Sequence, residues 1–179
     1  MANREAIREL QARLASRLQA ARHEGLSVSW LAIRSGGRNY LLPLTQSGEI
    51  FPIGSLQQVP YSQDWFHGVV NLRGGLYGVV DLARFVSGDS AGQGPVPGAA
   101  LAGDPVVVTL NPALNVNCAL RVDALAGLRN AESFATAKAP AAGMPPYFGN
   151  CFTDATGESW QEINLQTLAQ FPRFLNITA

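Results

Sequence analysis

The spacing of hydrophobic residues divides the chain into two parts. In residues 3–23, apolar side chains recur every three or four positions, the period of one face of an α-helix. They are Ile7, Leu10, Leu14, Leu18 and Ala21. Asn3 is a suitable N-cap, and Gly25 marks the end of the pattern. We predict an N-terminal helix within residues 1–25, which either packs on its own domain or binds a partner, and a separate domain over residues 26–179.

From residue 26 the apolar residues form short runs rich in β-branched and aromatic side chains, the pattern of β-strands. Three pairs of runs follow one another: 28–35 with 38–45, 66–73 with 76–83, and 105–110 with 117–125. Gly36-Gly37 and Gly74-Gly75 are predicted as two-residue turns, because glycine adopts left-handed backbone at little cost. A last hairpin is predicted within 151–165, turning near Thr156-Gly157. Successive short hairpins predict a mainly β fold of one or two small barrels.

Three segments between and after these hairpins have other compositions. Residues 87–103 contain five glycines and two prolines, which favour a flexible loop, and we expect this loop to join two lobes. Residues 135–146, rich in alanine and proline, are predicted to be irregular. A short closing helix is predicted from Leu165 to Phe171, with Pro172 ending it.

Composition narrows the classes of partner. Only 15% of residues are charged, the formal net charge is zero, and Lys138 is the only lysine. Nucleic-acid binding draws on clustered basic residues, so a nucleic-acid partner is not expected. The two cysteines, Cys118 and Cys151, form no metal or disulfide motif and are predicted to be core residues in a reducing compartment. No apolar run is long enough to span a membrane, and the N-terminus lacks a secretory signal, so we expect a cytoplasmic protein.

Catalytic motifs receive little support. Residues 88–92 match the G-x-S-x-G nucleophile pattern at Ser90, but that pattern requires a strand, a sharp turn and a helix. The only histidines, His23 and His67, both precede the serine. Neither has companions at metal-ligand spacing. Four isolated aspartates near predicted turns are expected to cap backbone N–H groups: Asp64, Asp81, Asp123 and Asp154. We therefore predict no catalytic, cofactor or metal site.

The stretch WFHGVVNLRGGLYGVVDLARF (65–85) resembles the central motif of the CheW-like family of chemotaxis adaptors, in which a strand G-V-x-N-x-R-G precedes a strand ending V-x-D-L. The matching residues are Gly68, Val69, Asn71, Arg73, Gly74, Val79, Asp81 and Leu82. Three further matches lie upstream of this stretch, at Glu49, Ile50 and Pro60. Two lie downstream, at Val122 and Asp123. The likeness covers about residues 28–170. Two stretches depart from the family pattern: Gly78, often a proline, and residues 46–48, where an apolar residue is usual.

The resemblance implies two SH3-like five-stranded β-barrel lobes, here with an added N-terminal helix, and no catalytic centre. It implies an adaptor between a CheA-type histidine kinase and a methyl-accepting chemoreceptor, located at the receptor array. The N-terminal helix, the motif itself and residues 168–177 look most like family members of twitching-motility systems, which depend on the type IV pilus. Two alternatives remain: a small serine hydrolase or ligand-binding barrel, and a β-domain of this fold with another protein partner.

The same resemblance assigns the protein-binding residues. They are Glu49, Ile50, Gly68, Val70, Asn71, Arg73 and Gly74. Arg73 has two possible roles: an anchor at an interface, where arginine is enriched, or a structural side chain that bonds loop carbonyls at the turn. Gly68 and Gly74 are expected to serve the backbone. Of Val69 and Val70, only one can face the core, because strand side chains alternate.

Overall fold

The structure, a computed structural model, describes residues 29–89 and 105–179. These residues form eleven strands and three α-helices. The strands are β1 (Trp30–Ser35), β2 (Arg38–Pro43), β3 (Ser47–Pro52), β4 (Phe66–Leu72), β5 (Gly75–Asp81), β6 (Val106–Leu110), β7 (Cys118–Val122), β8 (Ala124–Arg129), β9 (Phe134–Lys138), β10 (Phe148–Asp154) and β11 (Ser159–Ile163). The helices are α1 (Leu82–Asp89), α2 (Leu165–Ala169) and α3 (Pro172–Leu175). The predicted N-terminal helix lies outside the described residues.

The strands form two sheets, one in each lobe. The six-stranded sheet has the order β8-β1-β2-β11-β10-β9, and the five-stranded sheet has the order β3-β6-β7-β5-β4. The five-stranded lobe is one continuous stretch of chain, whereas the six-stranded lobe is built from strands on both sides of it. The prediction of a mainly β, two-lobed fold is confirmed, with six strands instead of five in one lobe.

Strand alternation divides the buried side chains among three cores. In β1, Trp30 and Ala32 point into the six-stranded lobe, while Leu31 and Ile33 join a core that both lobes share. In β7, Ala119 lies inside the five-stranded lobe, and Leu120 lies in the shared core. Both faces of the central strands are thus buried, which explains why their sequences are apolar at consecutive positions.

Two of the predicted turns are informative. Gly36 and Gly37 form the first turn as predicted, with φ of 59° and 75°. The second turn lies one residue earlier than predicted: Leu72 pairs with Gly75, so the turn residues are Arg73 and Gly74, with φ of 50° and 85°. The Asn71 side-chain oxygen accepts a hydrogen bond of 2.9 Å from the Gly74 N–H. That bond, from a short side chain to the backbone beyond it, stabilises a left-handed Arg73.

Helix α1 corrects two predictions about residues 76–103. It begins at Leu82, directly after β5, so the predicted strand ends at Asp81, and residues 87–89 of the predicted loop are helical. Its buried residues Leu82, Phe85 and Val86 have helical spacing and join the shared core. Their burial stabilises the helix more than the low helix propensity of the nearby glycines destabilises it. The remaining residues of that loop lie outside the described ranges. The loop does not join the lobes, because β5 and β6 belong to the same sheet.

Two other expectations fail near the C-terminus. The predicted irregular segment 135–146 contains most of β9, which pairs with β10. The backbone hydrogen bonds between the two strands thus outweigh the weak β-strand propensity of this sequence. Pro172 is the first residue of α3, a position that proline favours because it needs no N–H donor there. The predicted closing helix exists as α2 and ends at Ala169.

The five-stranded lobe closes where the chain after β3 returns to β4. Gln57 and Val69 exchange backbone hydrogen bonds of 2.8 Å and 2.9 Å. At Gly68, φ is +126°, and an added Cβ would overlap the Gln57 carbonyl oxygen. Gly68 therefore permits the close approach of two backbone segments that closes the lobe.

Asp154 holds the last hairpin together. Its carboxylate accepts hydrogen bonds from the Thr156 hydroxyl (2.6 Å), the Thr156 and Glu158 N–H groups (2.9 Å and 3.0 Å), and the indole N–H of buried Trp160 (3.1 Å). The Thr156 hydroxyl bond is the largest cause that lowers the pKa of Asp154, to about 2. The prediction that this aspartate closes a turn is confirmed.

This pKa predicts acid sensitivity. The folded-state pKa of Asp154 lies below its ordinary value of 3.8, so its stabilising effect is complete above about pH 4 and is lost as the pH falls towards 2. We expect the melting temperature of the unmodified protein to fall more steeply over this range than that of Asp154→Asn. Circular dichroism melts between pH 2 and 5 measure the difference, with Glu158→Gln as a control in the same hairpin. Identical pH profiles for Asp154→Asn and the unmodified protein would contradict it.

Candidate protein-docking surface

The tip of the β4–β5 hairpin touches strand β3 through Arg73. Its guanidinium lies 2.6 Å from the Glu49 carboxylate and 5.5 Å from the centre of the Phe51 ring. The paired side chains are 73% exposed for Arg73 and 56% exposed for Glu49. Since β3 and β4 are the two edges of the five-stranded sheet, this contact brings residues from opposite ends of the sheet order onto one surface.

Exposed apolar side chains accompany this ion pair. Ile50 follows Glu49 on β3, and Leu76, which is 62% exposed, lies directly opposite Asn71 on the hairpin. We use the name hairpin face for five exposed residues of β3 and the β4–β5 hairpin: Glu49, Ile50, Asn71, Arg73 and Leu76. Of the predicted protein-binding residues, four belong to it. Gly74 forms the adjoining tip, where a Cβ would meet no neighbouring atom within 4 Å.

Two predicted binding residues are not at the surface. Val70 is 5% exposed and packs with Leu72 and Val79 inside the five-stranded lobe. Gly68 is buried against Gln57. The assignment of Val70 to a binding surface is therefore wrong, because strand alternation turns it inward. Gly68 shapes the lobe that carries the hairpin face.

The geometry of Arg73 bears on its two possible roles. Among the described residues, Arg73 contacts a carboxylate and an aromatic ring, and it makes no hydrogen bond with the carbonyls of its own turn. An ion pair this exposed contributes about 0–1 kcal/mol to stability, because water and salt screen it. Fold stability alone therefore gives little reason for an arginine here, and an interface role is favoured.

A charged cluster centred on buried Asp81 lies at the base of the β4–β5 hairpin, where β4 starts and β5 ends. One carboxylate oxygen is 3.0 Å from the Arg121 guanidinium and 3.3 Å from His67 Nε2, and the other accepts the Arg84 N–H at 3.1 Å. The last bond caps helix α1. Burial is the largest cause that lowers the pKa of His67, which Arg121 and Arg84 also lower and Asp81 raises. Sequence reasoning predicted the cap but missed the ion pair.

The departures from the family motif each have a structural role. The Gln46 side-chain oxygen accepts the Leu165 N–H at 2.7 Å, at the start of α2, so it connects the segment between the lobes to the C-terminal helix. At Gly78, an added Cβ would lie 2.9 Å from the Phe66 ring. Both residues thus support local packing that the usual apolar residue or proline would alter.

The serine motif is not placed as a nucleophile requires. Gly88 and Asp89 end helix α1, whereas the motif needs a strand before its serine. Ser90 itself lies outside the described residues. Within residues 29–89 and 105–179, no three His, Cys, Asp or Glu side chains are grouped to hold a metal. Cys118 is buried in the shared core, as predicted, and burial raises the pKa of its thiol to about 12, which makes it a poor nucleophile. Cys151, also predicted as a core residue, is only half-buried.

Comparison with known proteins identifies the class. The family profile of the CheW-like domain matches residues 29–172. The chain therefore belongs to the CheW-like family, whose members are in general non-enzymatic adaptors. It is similar to Protein PilI of Pseudomonas aeruginosa, with 35% identity over 74 residues, which are 41% of this chain and 42% of PilI. The match thus spans less than half of that relative's length.

A solved structure has the same fold. The chain superposes on the crystal structure of the scaffolding protein TtCheW from Thermoanaerobacter tengcongensis with a TM-score of 0.60. The match covers 77% of this chain and 89% of TtCheW at 15% identity, and at that identity it establishes the fold alone. Among the helices that the structure describes, none combines the length and the hydrophobicity needed to cross a bilayer.

Proposed function

We propose that the chain is a non-catalytic adaptor that couples a CheA-type histidine kinase to methyl-accepting chemoreceptors. Its similarity to PilI supports a chemosensory system of the type IV pilus and twitching motility. The adaptor works in the cytoplasm and reaches the receptor array through its partners. No cofactor, nucleic acid or membrane insertion is part of this role.

The hairpin face carries the proposal. Arg73 lies against Glu49 and Phe51 at the tip of the hairpin, so a partner meets an exposed guanidinium there. Ile50, next to Glu49 on β3, and Leu76, opposite Asn71 on the hairpin, provide exposed apolar area on the same two elements. An arginine among apolar side chains is the composition typical of an interface centre.

The two-lobed architecture suits an adaptor. Every residue of the hairpin face belongs to the five-stranded lobe, so a partner bound there leaves the six-stranded lobe available to a second protein. The core shared by both lobes fixes their relative position. We propose that the kinase binds the hairpin face.

We expect Arg73→Glu to weaken binding to a CheA-type kinase from the same array at least about tenfold, the effect of losing 1.4 kcal/mol at an interface hot spot. Isothermal titration calorimetry with the purified kinase measures it. The matched control is Arg34→Glu, which reverses a comparable exposed arginine, paired with Glu158 at 3.7 Å on the other lobe. Circular dichroism checks that both variants remain folded.

A charge swap separates an interface role from a structural one. In the double variant Glu49→Arg and Arg73→Glu, the ion pair can form in the opposite sense. If Arg73 contacts the kinase, the swap stays as weak as the single variant. Full recovery of binding by the swap, or an equal loss in Arg34→Glu, would contradict an Arg73 contact. No binding of the unmodified protein to the kinase would overturn the proposed function.

A further inference from the structure

Strand β8 carries two leucines whose apolar surface remains exposed among the described residues. Leu125 is 42% exposed, and Leu128 is 68% exposed. Leu128 lies opposite Leu31, and Leu125 lies opposite Ile33. Directly opposed residues of an antiparallel pair share one side of the sheet, and Leu31 and Ile33 face the core between the lobes. The two leucines therefore extend that apolar side of the sheet to its edge strand.

A β-bulge places both leucines on the same side. The register with β1 shifts between Ala32 and Ile33, so Ala126 is an extra residue in β8. Gly127, next to it, has φ of +94°, a conformation common in bulges. Without the bulge, residues 125 and 128 would point to opposite sides, because they are three positions apart.

The chain's own N-terminal segment joins the fold beside these leucines. Trp30, at the start of β1, lies opposite Arg129, the residue after Leu128. The 28 residues before Ser29 are outside the described part of the chain. They contain the apolar stripe from Ile7 to Ala21, which as a helix would be about 20 Å long. That length exceeds the roughly 10 Å that separates Leu125 from Leu128 along the strand.

The connection is long enough for the segment to turn back. Residues 24–28 can span up to about 16 Å when extended, and Gly25 lies within them. The net charges of the two parts are opposite in sign, which favours their contact. The first 28 residues hold five arginines and three glutamates, whereas the rest of the chain holds eight basic and ten acidic side chains.

We propose that residues 3–23 fold back as an amphipathic helix and cover the β8 leucines of the same chain. The tether keeps the segment at a high effective concentration over this surface. The contact itself is independent of kinase binding, so it stands or fails separately from the proposed function.

Photo-crosslinking in the full chain tests the contact. A p-benzoylphenylalanine at position 128 is expected to crosslink to residues 3–23, as located by mass spectrometry. The same probe at Leu76, similarly exposed on the other lobe, should give several-fold less. Mixing isotope-labelled and unlabelled chains distinguishes crosslinks within one chain from those between two. Crosslinks only between chains would overturn the proposal in favour of a second copy, and equal yields from both positions would overturn it outright.

Matched variants show whether the apolar stripe makes the contact. Leu10→Asp with Leu14→Asp should abolish the crosslink from position 128. Ser16→Asp with Gln19→Asp adds the same charge on the opposite side of the helix and should leave the yield unchanged. Loss of the crosslink in both pairs, or in neither, would contradict packing through the stripe.

Discussion

Gly68→Ala is expected to lower the free energy of unfolding by about 3 kcal/mol, the combined effect of backbone strain and overpacking. Gly68 has a φ of +126°, a backbone conformation that residues other than glycine rarely adopt. The new methyl group would also overlap the Gln57 carbonyl oxygen. Relieving the overlap requires Gln57 to move away from Val69, which breaks the pair of hydrogen bonds that closes the five-stranded lobe. Urea unfolding followed by circular dichroism gives the free energy.

The control for this variant is Gly74→Ala. Gly74 also has positive φ, at +85°, but an added Cβ there would meet no atom within 4 Å. Only backbone strain should remain, so the expected loss is about 1–2 kcal/mol. The difference between the variants isolates the close approach at Gln57. Equal losses would mean that this approach is not what requires a glycine at position 68.

Local sequence pattern predicted the hairpins well because their determinants are local. Turn glycines and short runs of apolar, β-branched and aromatic residues are enough to pair β1 with β2 and β10 with β11. Strands β3, β8 and β9 were not predicted. They lie at sheet edges and are largely exposed, so their sequences lack a buried face, and pairing with a neighbouring strand is what makes them strands.

The arrangement of lobes depends on contacts that sequence spacing does not reveal. The parallel pairs β2 with β11 and β5 with β7 join distant parts of the chain. The first pair returns the C-terminal strands to the first lobe, so the five-stranded lobe is inserted within the six-stranded one. A reader of the sequence expects lobes in chain order and takes the glycine-rich segment 87–103 for the link between them.

The candidate site was predictable in part for the same reason. The family motif located Arg73 and Asn71, whose positions follow from one hairpin. Val70 was misassigned, although alternation from buried Val79 across the hairpin could have shown that it faces inward. Leu76 carried a signal that was overlooked, since an apolar residue opposite a polar Asn71 is out of pattern for a buried pair. The contact between Arg73 and Glu49 could not be predicted, because it forms only once the five-stranded lobe has closed.

The ion pair between Asp81 and Arg121 was equally hidden, because the parallel register of β5 and β7 places these residues opposite each other across 40 positions of sequence. Loss of this ion pair is the second change for which we expect a large effect on stability. We expect Asp81→Ala to lower the free energy of unfolding by about 3–4 kcal/mol, because it leaves the Arg121 charge without its nearest partner in a partly buried site. The change also removes the cap of helix α1. Urea unfolding measures the loss.

Two further variants separate the charge from the cap. Asp81→Asn keeps a side-chain oxygen that can accept the Arg84 N–H but carries no charge for Arg121, so its loss should be smaller than that of alanine by about 1 kcal/mol, the usual contribution of a cap. In Asp81→Ala, Arg121 keeps only its longer ion pair with Asp123, at 3.6 Å. Adding Arg121→Met removes this weakly paired charge and should restore part of the stability. Equal losses of stability for Asp81→Asn and Asp81→Ala would show that the cap of α1 contributes nothing. If the effects of Asp81→Ala and Arg121→Met simply add in the double variant, the two charges are not coupled.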